Sequence, residues 1–122
     1  MKMLGESGRF LYLKDTSCEL EQIRNKINVS ENTPLGLYNA NTATALESLK
    51  IGAQGISPVG ANYYPELYHF LIENQKLENK ELEEVNALLT VLDSIADSTY
   101  YPLASKLFLQ KRGLNISTIC RN

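Results

Sequence analysis

Short apolar runs alternate with 3.6-residue apolar stripes along the first half of the chain. Phe10 to Lys14 reads as a strand, after which Leu20, Ile23 and Ile27 fall on one helical face. Thr16 and Glu19 stand at capping-box spacing just ahead of that face. Thr33 to Tyr38 is a second strand, and the helix expected over Thr42 to Ile51 carries Ala45, Leu46 and Leu49 before Gly52 ends it. Ala53 to Val59 is a third strand, short and rich in small residues. Pro65 then opens a helix through Gln75 in the first-turn position that proline favours. Strands with few polar residues in mid-run, each followed by a helical pattern, are the βα signature, and they predict a parallel sheet buried on both faces.

The second half carries only helical patterns. From Asn79 to Ser98 an amphipathic helix places Leu82, Val85, Leu88, Leu89, Leu92 and Ile95 on one side. Glu81, Glu83 and Glu84 lie near its start, where the helix dipole favours acids. A break from Ser98 to Pro102 follows, and a last helix carries Leu103, Leu107 and Phe108 to a stop at Gly113. The charged stretch from Lys76 to Glu84 is a solvated turn and helix face. No low-complexity linker divides the chain, so residues 1–76 are expected as a βα body and 77–122 as a helical extension packed on it, in one structural unit.

Composition narrows the function classes. The 122 residues are 43% hydrophobic and 21% charged, ordinary values for one globular domain. A formal net charge of -2 with scattered cations offers no nucleic-acid footprint. Neither a leader pattern nor an apolar run near 18 residues is present, so a membrane span is not expected and the cytoplasm is the default location. Cys18 and Cys120 form no CxxC pair, and His69 is the single histidine. Disulfide frameworks, zinc sites and His-rich metal sites are therefore unsupported, and neither metal nor cofactor is implied. Scattered glycines at 52, 55 and 60 match neither a P-loop nor a GxGxxG turn.

Lys14 is the candidate for chemistry. In parallel βα proteins, residues at the C-terminal ends of strands face the ligand site. A lysine partly buried there loses ammonium solvation, and its neutral amine becomes a nucleophile able to form a Schiff base. The same position also suits an ordinary lysine extending from a strand end into water. Three parallel strands raise a second issue: they leave two open sheet edges and an uncovered face, which more strands or a partner would complete.

Three stretches together carry a family resemblance: YLKDTS at Tyr12 to Ser17, GAQGISPVGANYYPEL at Gly52 to Leu67, and YYPLASKLFLQKRGL at Tyr100 to Leu114. In order and spacing they resemble the dihydrodipicolinate synthase and N-acetylneuraminate lyase family of class I aldolases, from about Phe10 to Arg121. The resemblance implies an α/β fold: a partial (βα)8 TIM barrel, its last three βα units, followed by C-terminal helices. It implies Schiff-base formation by Lys14 with pyruvate or a related 2-oxo acid, and no cofactor. It places Thr16 and Ser57 at the pocket, and Asn39, Ala40 and Asn41 in a loop that contacts the distal part of the substrate. Met1 to Arg9 resembles the tail of a preceding helix.

The departures from the family pattern are specific. Complete barrels of this kind take roughly 250 residues, and the resemblance begins at the sixth strand. The GTTGE-type carboxylate loop and the catalytic tyrosine of the YN.P-type motif have no counterpart; Tyr38 sits on the wrong strand to be that tyrosine. Thr42 and Ala43 replace the acidic pair of sialate lyases, Ala40, Asn41 and Thr42 replace the GDD of the synthases, and Cys18 replaces a usual glycine. Two functions are therefore expected as alternatives. One is a C-terminal portion of a pyruvate-type aldolase with little or no turnover alone. The other is a non-catalytic assembly module that pairs through open strand edges, as a homo-oligomer or with a complementary N-terminal half.

Overall fold

Three parallel strands, the second in sequence lying between the other two, form a small sheet. The structure is a computed structural model and is described for residues 1–77, 79–97 and 100–121, the Asp97 side chain excepted. Glu78 of the charged stretch and Ser98 and Thr99 of the expected helix end and break lie outside the described residues. In chain order the elements are α1 (Lys2–Glu6), β1 (Tyr12–Asp15), α2 (Leu20–Ser30), β2 (Gly36–Asn39), α3 (Ala45–Lys50) and β3 (Gly55–Ile56). A 3-10 turn (Val59–Asn62), α4 (Pro65–Asn74), α5 (Lys80–Asp97) and α6 (Leu103–Lys111) complete them. No described helix is long and apolar enough to cross a membrane.

The βα order is as expected, but the strands are shorter and displaced. Phe10 and Leu11 are exposed and precede β1, while Asp15 belongs to it. Thr33 lies in a turn, where its hydroxyl donates to the Ser30 carbonyl, and Pro34 has no N–H to give a ladder, so β2 starts at Gly36. Pro58 likewise ends β3 before Val59, which starts the 3-10 turn. The capping box fails. Glu19, not Thr16, is the residue before the first helical turn of α2, and neither side chain caps it. Gly52 ends α3 at φ 106°, and Pro65 occupies the first turn of α4. Asn79 caps α5, its Oδ1 accepting from the Leu82 N–H at 2.9 Å.

Side-chain alternation decides what each sheet face does. The register pairs Tyr12 with Gly36, Lys14 with Tyr38 and Tyr38 with Gly55, which puts these residues on one face. That face is not covered: Tyr12 and Lys14 are exposed. This corrects the expectation of strands buried on both faces. Leu13, Asp15, Leu37 and Asn39 point to the opposite face, beneath α2 and α3, where Ile23, Leu37, Ala45 and Leu49 are buried. A second apolar cluster joins Leu46, Tyr63, Tyr64, Tyr68, Leu71, Leu82 and Leu89, locking α5 onto α3, α4 and the 3-10 turn. Leu88 and Ile95, expected on the packed side of α5, are exposed, because Leu82, Val85, Leu89, Leu92 and Ala96 already form the inward stripe.

Candidate functional site

Lys14, next to last in β1, borders a cleft of about 350 Å³ lined by Tyr12, Lys14, Tyr38 and Ser57. The cleft forms on the open sheet face, where β1 gives Tyr12 and Lys14, β2 gives Tyr38, and Ser57 follows directly after β3. Tyr38 is the register neighbour of Lys14, and its ring lies across Gly55 on β3, where a Cβ would meet the ring carbons at 2.6 and 2.7 Å. The Tyr12 ring stands nearly perpendicular to it, centroids 5.4 Å apart at 71°. The Ser57 N–H donates to the Asn39 carbonyl at 2.7 Å, which carries the β2–β3 ladder one residue past β3 and fixes Ser57 beside the cleft.

The strand end that bears Lys14 is anchored from below. Asp15 is 2% exposed and accepts from the Lys26 ammonium, the Ser17 hydroxyl and the Ser17 N–H at 2.8 Å. Burial alone would raise the Asp15 carboxyl, but Lys26 and the two Ser17 hydrogen bonds outweigh it and hold the group below the usual carboxylate range. The chain then turns sharply, with Cys18 at φ 62°.

The other sequence-predicted residues separate. Thr16 is exposed in the β1–α2 connection and does not line the cleft. Asn39 is fully buried on the helix-facing side, its amide donating to the hydroxyls of Thr44 (2.9 Å) and Ser48 (3.0 Å) and its Oδ1 accepting from the Asn41 N–H. Its side chain ties down the loop after β2. Ala40 and Asn41 line a different concavity of about 290 Å³, shared with Thr42, Ala43, Val59, Thr90, Asp93 and Ser94. Thr42 and Tyr68 both donate to Asp93 Oδ2, the latter at 2.8 Å, which clamps that loop to α4 and α5. Burial, reinforced by the Asp93 carboxylate, raises the Tyr68 hydroxyl well above the ordinary tyrosine value despite its contact with Thr42. A larger concavity of about 370 Å³ includes Asn32, Thr33, Gly36, Gly52 and Gln54 in its lining and holds none of the predicted residues.

Lys14 and Ser57 are thus brought together, Tyr12 and Tyr38 join them, and Thr16, Asn39, Ala40 and Asn41 are placed elsewhere. Of the two tyrosines, Tyr12 carried a legible signal, because it has the parity of Lys14 within β1. The parity of Tyr38 relative to Lys14 depends on inter-strand register, which one sequence does not reveal. No group of three or more metal-ligating side chains occurs among the described residues. His69 is exposed, and both cysteines are free thiols.

The sequence matches the Dihydrodipicolinate synthetase family over residues 2–122. The chain belongs to that family. Within the dihydrodipicolinate synthetase family, its fold is similar to that of the chloride-inhibited dihydrodipicolinate synthase from Acinetobacter baumannii, solved in complex with pyruvate. The TM-score is 0.74 at 22% identity, over 88% of this chain and 37% of that one. At this identity the likeness concerns the fold. The chain therefore spans little more than a third of the length of that synthase. No curated protein matches the sequence.

Proposed function

We propose that this chain is the carbonyl-capturing part of a pyruvate-type class I aldolase: the last three βα units of a (βα)8 barrel, residues 1–76, with a helical extension over 77–122. Lys14 is the nucleophile, and a 2-oxo acid such as pyruvate is the substrate. The observation that carries the reading is the position of Lys14 at the end of β1, on the open face, in one cleft with Ser57. Strand C-termini are where barrels hold their chemistry.

The chemistry is a condensation. The Lys14 amine adds to C2 of the 2-oxo acid, and the carbonyl electron pair moves to oxygen, which is protonated. The resulting hydroxyl leaves as water with one further proton. Amine, ketone and one proton give a protonated imine and one water. That imine draws electrons from C3, so loss of a C3 proton yields an enamine able to attack a carbonyl carbon. Groups aimed at the carboxylate and at the transferred proton supply much of the transition-state stabilisation in such reactions. Among the described residues the cleft presents no second cation, so we expect imine formation with little turnover.

The test is to incubate the protein with pyruvate, reduce with borohydride, digest and locate the adduct by mass spectrometry. An adduct on the Lys14 peptide that Lys14→Ala abolishes is the expected result. Modification spread evenly over all lysines would sink the role. A second reading, an assembly module, is favoured by the sheet edges: β1 and β3 each pair with β2 alone among the described strands, and Phe10, Leu11 and Tyr12 are exposed at the β1 edge. Sedimentation at rising concentration distinguishes it, since edge pairing predicts a concentration-dependent oligomer and a strictly monomeric chain opposes it.

A further inference from the structure

Resting on the assignment of Lys14 as the carbonyl-capturing amine, we propose that Tyr12 and Tyr38 make the cleft selective for 2-oxo acids that carry an aryl group over their aliphatic counterparts. The two rings form a corner. Tyr38 sets one ring edge over Gly55 and makes one side, while Tyr12, turned 71° from it with centroids 5.4 Å apart, makes the other. Lys14 rises beside both: it shares its sheet face with Tyr12, two residues earlier on β1, and with its register partner Tyr38 on β2.

Strands lie about 4.8 Å apart, so a carbon captured by the Lys14 amine carries its substituents within reach of either ring. Tyr12 is 69% exposed, which leaves most of its ring surface available to a ligand. A third ring entering the corner meets the face of one tyrosine and the edge of the other, the two arrangements that the aromatic quadrupole favours. The rest of the lining suits this occupant. Apart from Lys14, the described residues of the lining offer hydroxyls and rings, and none of them is an acid that would hold a polyhydroxylated chain.

The experiment is borohydride trapping across a concentration series with two acids that share the same carbonyl surroundings, 2-oxobutanoate and 2-oxo-4-phenylbutanoate. One aromatic pairing is worth roughly two- to tenfold in affinity. The expected result is half-maximal labelling of Lys14 at about fivefold lower concentration for the phenyl compound. In Tyr12→Leu the ratio of the two half-saturation concentrations should fall toward one, whatever the absolute labelling by either acid. Tyr38→Leu serves as the second variant should Tyr12→Leu fail to fold. Equal half-saturation for the two acids in the wild type would overturn the aryl preference and leave the Lys14 assignment standing. So would a preference that persists in the Tyr→Leu variant. Failure of both acids to label Lys14 selectively would overturn the assignment itself, and the preference with it.

Discussion

Cys18 occupies a backbone conformation, φ 62°, that left-handed geometry makes costly for any residue with a Cβ. This is the position where the family pattern carries glycine, and the structure supplies the reason: the turn out of β1 needs positive φ before α2 can begin. Relief of roughly 1–2 kcal/mol, less roughly 0.5–1 kcal/mol for the freer unfolded chain of glycine, predicts that Cys18→Gly stabilises the fold by about 0.5–1 kcal/mol. A denaturant midpoint shift at constant slope would measure it. Next to it, the Asp15–Lys26 pair sets an acid limit. The Asp15 carboxyl is depressed in the folded chain, so its contribution is present above the ordinary value of 3.8 and is lost as the pH falls below it. Breaking a buried pair costs roughly 3–5 kcal/mol. Lys26 keeps 28% of its side chain in water, so Lys26→Met should cost nearer ~2 kcal/mol at pH 7 and progressively less below pH 4 by urea unfolding. The strand-end position of Lys14 was legible in the sequence, where the resemblance carried by YLKDTS singled the residue out. Asn39 was not, since one residue of register decides whether a strand side chain meets ligand or helix.

At the scale of elements, α4 and α5 were read to within a residue, while α3 starts three residues later than expected and all three strands are displaced or shortened. Local chemistry explains the difference. Pro65, Gly52 and Asn79 act on their own neighbours, whereas strand ends follow from partners roughly twenty residues away. The clamp of Thr42, Tyr68 and Asp93 is the extreme case. It links residues up to 51 positions apart, and nothing in the local pattern of α5 marks Asp93 as different from other acids on a solvated face. Its position beneath Gly60 is tight, since a Cβ there would collide with Asp93 Oδ1. A hydrogen bond to a charged group is worth roughly 1.5–3 kcal/mol. Tyr68→Phe should therefore lower stability by about 1.5 kcal/mol and speed amide exchange in the loop from Ala40 to Thr44. Gly60→Ala should loosen the same loop by displacing the carboxylate, and hydrogen-exchange mass spectrometry reads both.

Across the whole molecule, one cluster joins α3, the 3-10 turn and α4 to α5, and it combines three tyrosines with four leucines. Burial, with smaller contributions from Asp93 and Tyr63, pushes the Tyr64 hydroxyl up to about 12, and Tyr68 is raised as well. A raised folded value stabilises the fold fully below the ordinary tyrosine value of 10.0, and the contribution is lost as the pH climbs from there through about 12. Thermal melts should fall steeply over that window, with the tyrosinate absorbance rising together with unfolding rather than ahead of it. Tyr64→Phe should flatten the alkaline slope. The bare sheet face has a different kind of consequence. Gly36 lies under the Gln54 side chain and Gly55 under the Tyr38 ring, so the walls of the open face are set by what two positions leave out. The depth of the basin beside Lys14 is in that sense written in absences. A single methyl at position 55 would tip the Tyr38 ring up and shut the basin with every reactive group still in place, so a lineage could silence this site, or reshape what it admits, by drift at a residue that has no side chain of its own.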